Sequence, residues 1–437
     1  MKQYSKYKNS GIDWLGNIPE HWEVKRVKEI GNVVCGATPK DNAKNWDGDI
    51  IWISPADMDD FGEIKEGART LTADGYNSCG TTLVPEGSII LSTRAPIGKT
   101  NIAVNTLCTN QGCKCIVFDK TKVDSRYFLY RFWSCNTQFQ ILGKGTTFFE
   151  LSTKDLSLFY LSVPPLSEQT SIASYLDEKT ANIDRRIELL RNKIDNYKQL
   201  RRSLISQVVT RGLDPDVKLK YSGIEWLGDV PKPWMVKRVK DVAKIFGRIG
   251  YRGYTSDDLV PDGEGAITIG GKNITNNVLD LSNADYISWE KYYESPEIMV
   301  HQGDLVMAQR GTLGRVALVR DNISEATINP SLVLIRSLAE NIDSCYLYYS
   351  LVSGNVQKQI GILNTATAVP MITQNQIENI LFLFPPLSEQ TAIAAYLDEK
   401  TAQIDSIIGK CEKQIEQLSA LRRSLIAEAV MGKIKVC

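Results

Sequence analysis

Two arginines hold matching places in two stretches of this chain that otherwise share little. Arg94 ends the run Gly87-Ser-Ile-Ile-Leu-Ser-Thr-Arg94. Arg310 ends Gly303-Asp-Leu-Val-Met-Ala-Gln-Arg310, 216 residues later, and Gly98-Lys99 and Gly314-Arg315 follow at the same remove. Guanidinium and ammonium groups address guanine edges or phosphates, Asn and Gln suit adenine, and glycine-rich turns let a loop approach a groove closely. The first stretch offers Thr38 and Lys40 in a glycine loop, Arg94 and Lys99 with Gln111, and the turn Lys144-Gly145-Thr146-Thr147. The second offers Arg248, Arg252, Lys272, Asn273, Arg310 and Arg315, with Asn329 and Thr365 behind them. These are the candidate nucleic-acid contacts. Any one alone also reads as a solvated surface residue, and a structural salt bridge would explain the Arg94/Arg310 coincidence as well.

Other chemistries have less to draw on. His21 and His301 are the only histidines, so no histidine-centred catalysis is expected. Nine cysteines stand at irregular spacings, and the one tight group, Cys108, Cys113 and Cys115, has neither a neighbouring histidine nor a CxxC; no metal site is predicted. A methyltransferase acting on adenine needs a [DN]PP[YF] clamp for a flipped base, and Asn329-Pro330-Ser331 lacks the second proline and the aromatic. A phosphate-cradling GxxxxGK[ST] needs a glycine where Thr93 stands. No catalytic residue is assigned. The polar N-terminus, the absence of a long apolar run and the odd cysteine count point to the cytoplasm and away from a membrane. Net charge is zero, and residues 23–160 carry 16 basic and 16 acidic side chains against 13 and 16 in 235–381. Nucleic-acid binding must therefore rest on local clusters or on a partner's charge.

The elements that position these residues are written twice. PPLSEQTSIASYLDEKTANID at Pro164–Asp184 returns as PPLSEQTAIAAYLDEKTAQID at Pro385–Asp405, with three differences in 21 positions, and GIDWLG at Gly11–Gly16 returns as GIEWLG at Gly223–Gly228. Each copy has a lead-in with a tryptophan pair (Trp14/Trp22, Trp226/Trp234), read first as structural anchors, and then a variable block of short strands such as Gly87–Leu91 and Gly303–Met307. A long helix follows. Ser167 and Ser388 are its expected N-caps, and Glu168/Gln169 and Glu389/Gln390 stand in its first turn. With Trp14 and Trp226 beside them, these are helix-start residues first and partner contacts second. Apolar residues then step as a heptad seam through Ile183, Ile187, Leu190, Ile194 and Tyr197 to Leu204. The second copy runs through Ile404, Ile408, Cys411, Ile415 and Leu418 to Leu425, and Arg201 and Arg422 interrupt the two seams with charge. Gly212 and Gly432 read as stops.

A parallel pairing of two such helices would force the linker after Gly212 to span nearly a full helix length, so an antiparallel coiled coil is expected. The fold class is α+β: two α/β recognition domains with mostly β cores, separated by two long antiparallel helices, in an internal tandem repeat with pseudo-two-fold symmetry. Expected boundaries are 1–22 (lead-in), 23–163 (first domain), 164–213 (helix), 214–234 (linker and second lead-in), 235–384 (second domain) and 385–437 (helix). Two unlike heads at a fixed separation suit two unlike half-sites on double-stranded DNA.

These motifs resemble the specificity subunits of type I restriction–modification enzymes over essentially the whole chain. Pro164–Gln169 and Pro385–Gln390 resemble the family's PPLxEQ signature. Gly11–Gly16, Pro19 and Trp22 resemble its lead-in, and Cys35-Gly36-Ala37-Thr38-Pro39 is similar to its GGTP-type loop, with Ala37 in place of a glycine. The second block departs from that loop with Gly247-Arg248-Ile249-Gly250-Tyr251-Arg252-Gly253 and resembles a different subclass. The resemblance implies a non-catalytic subunit that reads an asymmetric bipartite target. It also implies two methyltransferase subunits and restriction/translocase subunits as partners, which would use S-adenosylmethionine, ATP and Mg2+. The competing readings are a chain with its own methyltransferase or nuclease activity, and a coiled-coil scaffold without DNA readout.

Overall fold

A computed structural model of the chain describes residues 3–119, 121–143, 150–225, 227–248, 250–337, 340–364 and 370–436. Lys144, Thr146, Thr147, Trp226 and Thr365 lie outside the described residues. The chain divides into two compact units, Met1–Leu190 with Glu412–Cys437, and Arg191–Cys411. Among the described residues no helix is long and apolar enough to cross a membrane.

In the first unit a lead-in hairpin pairs Tyr7–Asn9 with Asn17–Pro19. The next strand, Glu23–Arg26, runs antiparallel to Tyr160–Val163, so the variable block enters and leaves side by side. Between them lies a five-stranded sheet in the order Gly31–Cys35, Cys113–Phe118, Ile89–Ser92, Thr100–Ala103, Phe61–Ile64. The strand expected from Gly87 begins at Ile89, because Gly87 takes a left-handed φ of 83° in the turn before it. Its apolar run is unbroken because both faces are covered. Ile89 and Leu91 pack with Tyr127, Phe128 and Phe132 of the helix Ser125–Trp133, while Ile90 packs with Ile53, Val84 and Cys115 on the other side.

The second unit repeats the plan. Leu219–Tyr221 pairs with Asp229–Pro231, and Met235–Arg238 with Leu381–Phe384. A four-stranded sheet runs Ala243–Gly247, Leu332–Ser337, Leu305–Ala308, Val316–Leu318. Leu305 and Met307 face a core with Tyr346 and Leu347, and Val306 and Ala308 face a second with Ile269 and Ile328.

The two long helices are Leu166–Arg211 and Leu387–Val430. Each starts two residues earlier than a serine N-cap would set it. The Pro165 carbonyl accepts from the Glu168 and Gln169 amides, and Pro386 does the same for Glu389 and Gln390, so Ser167 and Ser388 lie inside the first turn and are not N-caps. Gly212 and Gly432 follow the two helix ends with φ of 75° and 70°. A Cβ at Gly432 would stand 2.5 Å from Pro19, and one at Gly212 would stand 2.9 Å from Glu389 Oε1.

In the first unit the start of the first long helix (Leu176, Ile183, Ile187) shares a core with the end of the second (Leu418, Leu425, Ile426). In the second unit Ile393 and Leu397 share a core with Ile205, Val208 and Val209. Arg201 and Arg422 interrupt the apolar seam with charge, and each charge is paired across the helices. Arg422 pairs with Asp184 at 3.0 Å and Arg201 with Asp405 at 3.4 Å, one equivalent cross-helix ion pair in each unit. Residue numbers rise along one helix as they fall along the other, the antiparallel direction. Ile183, Ile187, Ile194, Ile404, Ile408, Cys411 and Leu418 are buried, and Leu190, Tyr197 and Ile415 are half-buried. Leu204 is half-buried, and its neighbour Ile205 takes the core position instead.

Candidate nucleic-acid interface

In the first unit three loops meet at the end of the large sheet. The Thr93 amide donates to the Gly112 carbonyl at 2.8 Å and the Leu151 amide to Thr93 at 2.9 Å, which fixes the backbone that carries Arg94. Arg94 Nε donates to Glu150 Oε2 at 3.0 Å. The other carboxylate oxygen, Oε1, accepts from Lys114 Nζ at 3.0 Å, and that ammonium also reaches Thr93 Oγ1 at 3.2 Å. Lys114 is 3% exposed. Burial pushes the Glu150 carboxyl upward, but Lys114 and Arg94 outweigh it and hold the group below the usual carboxylate range.

The glycine loop lies alongside. The Ala37 amide donates to the Thr109 carbonyl at 2.9 Å, and a Cβ on Gly36 would stand 2.2 Å from that oxygen, so this approach needs glycine. Trp52 Nε1 donates to the Ala37 carbonyl at 3.0 Å. Thr38 Oγ1 then donates to Gln111 Oε1, bringing together two residues 73 apart in sequence, and both remain exposed. Lys40 is exposed beside them. Lys99 is turned inward: its ammonium donates to the Pro55 and Met58 carbonyls at 3.1 and 2.6 Å.

The second unit reproduces this backbone with different side chains. The Gln309 amide donates to Ser331 at 2.9 Å and the Ile372 amide to Gln309 at 3.0 Å, the counterparts of the contacts at Thr93. Asn110 Oδ1 accepts from the Gly112 amide, and Asn329 Oδ1 from the Ser331 amide, each at 2.9 Å, so the two units build the same turn 219 residues apart. Arg315 spends an Nη1 donor on the Ile274 carbonyl at 3.2 Å, as Lys99 does on its own neighbours. Arg310 differs from Arg94. It is exposed, its backbone bridges Met371 where Arg94 bridges Glu150, and among the described residues it has no ion-pair partner.

Arg248 is only 8% exposed. Its guanidinium donates to the Ile328 carbonyl at 3.3 Å, to Thr327 Oγ1 at 3.2 Å and to the Arg252 carbonyl at 3.3 Å. It caps the strand-end carbonyl that the Ala37 amide caps in the first unit, which explains why the loop sequences part here. Burial pushes its guanidinium pKa down. Asn273 is fully buried and accepts from the Gly270 amide at 2.9 Å, and Lys272 pairs with Asp285 at 2.7 Å. Arg252 pairs with Glu297 at 3.4 Å.

The helix-start residues face inward. Gln169 accepts from the Asp124 amide at 2.9 Å and donates to the Pro164 carbonyl at 2.8 Å; Gln390 does the same with Asp343 at 3.0 Å and Pro385 at 2.9 Å. Asp124 and Asp343 are the N-caps of Ser125–Trp133 and Ser344–Val352, so each glutamine ties a long helix to its recognition block. Glu168 accepts from Tyr4 Oη and lies 2.8 Å from His21 Nε2, while Glu389 accepts from Trp234 Nε1 at 2.8 Å. Trp14 stacks on Phe159 at 5.0 Å. The sequence reading missed Lys114 and Glu150. The available signal was a lone lysine inside the apolar strand CKCIVF, since a buried ammonium demands a partner. It also missed Tyr130 and Tyr349, whose hydroxyls donate to Asp177 and Asp398 of the repeated YLDEKT at 2.9 and 2.6 Å.

The family model described as the type I restriction modification DNA specificity domain matches residues 19–196 and 231–417. The chain is 26% identical to the type I restriction enzyme MjaIX specificity subunit of Methanocaldococcus jannaschii, over 97% of this chain and 95% of that one. It is 23% identical to the EcoBI specificity subunit of Escherichia coli over 75% and 69%. Its fold matches a chain from a study of the assembly and conformational transition of the type I R-M system, with a TM-score of 0.74 at 16% identity over 95% and 99% of the two chains. It also matches the HsdS subunit from Thermoanaerobacter tengcongensis, with a TM-score of 0.52 at 17% identity over 95% and 98%. With two specificity domains set on a duplicated frame, this chain belongs to the family of type I restriction–modification DNA specificity subunits.

Proposed function

We propose that this chain is the DNA-reading, non-catalytic subunit of a type I restriction–modification complex. Its first block reads one half-site of an interrupted, asymmetric target and its second block reads the other. Two methyltransferase subunits and the restriction/translocase subunits assemble on it and bring S-adenosylmethionine, ATP and Mg2+ to the chemistry. One observation carries the reading: the two blocks share a loop frame down to individual hydrogen bonds, yet differ in the side chains at its exposed edge. Thr38, Gln111 and a carboxylate-paired Arg94 stand in one block, and Arg310 beside Met371 in the other. A common frame with unlike polar edges suits two different base sequences.

Mapping methylated bases in cells that express this chain with its cognate methyltransferase tests the proposal. Two short, unlike motifs at a constant gap are expected. Methylation without a bipartite motif, or methyl transfer by the chain alone, would contradict it.

A further inference from the structure

Lys114 poses a physical question. Removing an ammonium from water costs several kcal/mol unless its partners are well placed, and replacing a buried ion pair with packed apolar groups is often neutral or stabilising. This fold accepts that replacement. In the antiparallel pairing, Lys114 faces Cys35 as Val333 faces Gly247, and the bridge Arg94↔Glu150 corresponds to Arg310↔Met371. The second block therefore builds the same corner with Val333 and Met371, and Val333 is fully buried there. The charged pair in the first block is not required to form the corner.

Its one evident product is the posture of Arg94. Glu150 takes both cations, Lys114 through Oε1 and Arg94 through Oε2, at 3.0 Å each. Among the described residues the hydrogen bond of the Arg94 guanidinium runs through Nε, which leaves the Nη1/Nη2 edge without a partner on a side chain 42% exposed. That edge is the part of arginine that meets guanine O6 and N7 in the major groove. A side chain held at Nε by a carboxylate that is itself anchored to a buried lysine loses less rotamer freedom on binding. We propose that Glu150, braced by Lys114, is a positioning residue that aims Arg94 at a guanine in the first half-site. This inference rests on the reading of the loop edge as the DNA-reading surface. Arg310 lacks the brace, so the second half-site depends on no equivalent pair.

The test uses the assembled complex and maps its methylation motif for R94A, for K114V/E150M (the residue types of the second block) and for the triple variant. R94A and K114V/E150M should relax the same single guanine position of one half-site. Preference there should fall by roughly tenfold or more, with the other half-site unchanged. The triple variant should be no worse than R94A, because the pair acts through the arginine. A target unchanged by K114V/E150M while R94A relaxes it would overturn the proposal, as would a target unchanged by R94A. Failure of K114V/E150M to assemble, or equal damage to both half-sites, would make the pair structural and overturn it too. If the unmodified complex yields no bipartite motif, the underlying functional reading fails by itself, whatever the variants do.

Discussion

At the scale of single residues, Arg248 is 8% exposed and its guanidinium donates to the Ile328 carbonyl. Arg248 stands in a glycine-rich loop, which makes it a natural DNA contact on paper, but the fold spends its donors on two carbonyls and a threonine hydroxyl inside the second unit. Arg248→Met should therefore destabilise that unit by about 2–3 kcal/mol, because it leaves buried acceptors without donors. Denaturant unfolding checks this, and the first half-site should be read as before. Unchanged stability with an altered second half-site would return Arg248 to the reading edge. The pairing of Arg94 with Arg310 was legible as a shared position, since both end a glycine-led apolar run. Their difference was not, because it depends on Glu150 and Met371, which lie 56 and 61 residues further along the chain. Glu150 also gives a pH signature. Its folded pKa is depressed, so its contribution to stability is present above the ordinary carboxylate pKa and is lost as pH falls through the depressed value. Acid unfolding followed for the first unit should thus be steeper with Glu150 than with E150Q.

At the scale of elements, the repeated signature is a joint. Gln169 and Gln390 each bridge the proline turn that opens a long helix and the N-cap of a helix in the recognition block. Gln390→Ala should cost about 1–3 kcal/mol, since the Asp343 amide loses its acceptor in a buried place. Thermal melting of the variant measures this, and a change near zero would mean that the joint is held elsewhere. Helices, seams and glycine stops were readable from the sequence because heptad spacing and left-handed glycines are local signals. The helix starts were displaced by two residues, because Pro165 and Pro386 supply the first acceptor before either serine can. The charges at Arg201 and Arg422 were visible as breaks in the seam, but their partners were not: the carboxylates lie on the other helix, which no single-helix pattern contains.

At the scale of the whole molecule, one repeated frame carries two private edges. If the long helices set the gap between half-sites, adding length to both should widen it. One heptad inserted after Tyr197 and one after Gly409 are placed opposite each other by the register of the Asp184–Arg422 and Arg201–Asp405 pairs. They add about 10 Å of helix, the rise of about three base pairs. The mapped target should keep both half-sites and lengthen the gap, and an unchanged gap would mean that something other than the helices determines it. That each block reads its own half-site is tested by exchanging residues 235–381 for the corresponding block of another specificity subunit and mapping methylation again. One half-site should change, with the other half-site and the gap retained. A change in both half-sites, or in neither, would contradict the claim that each block reads its own stretch of duplex.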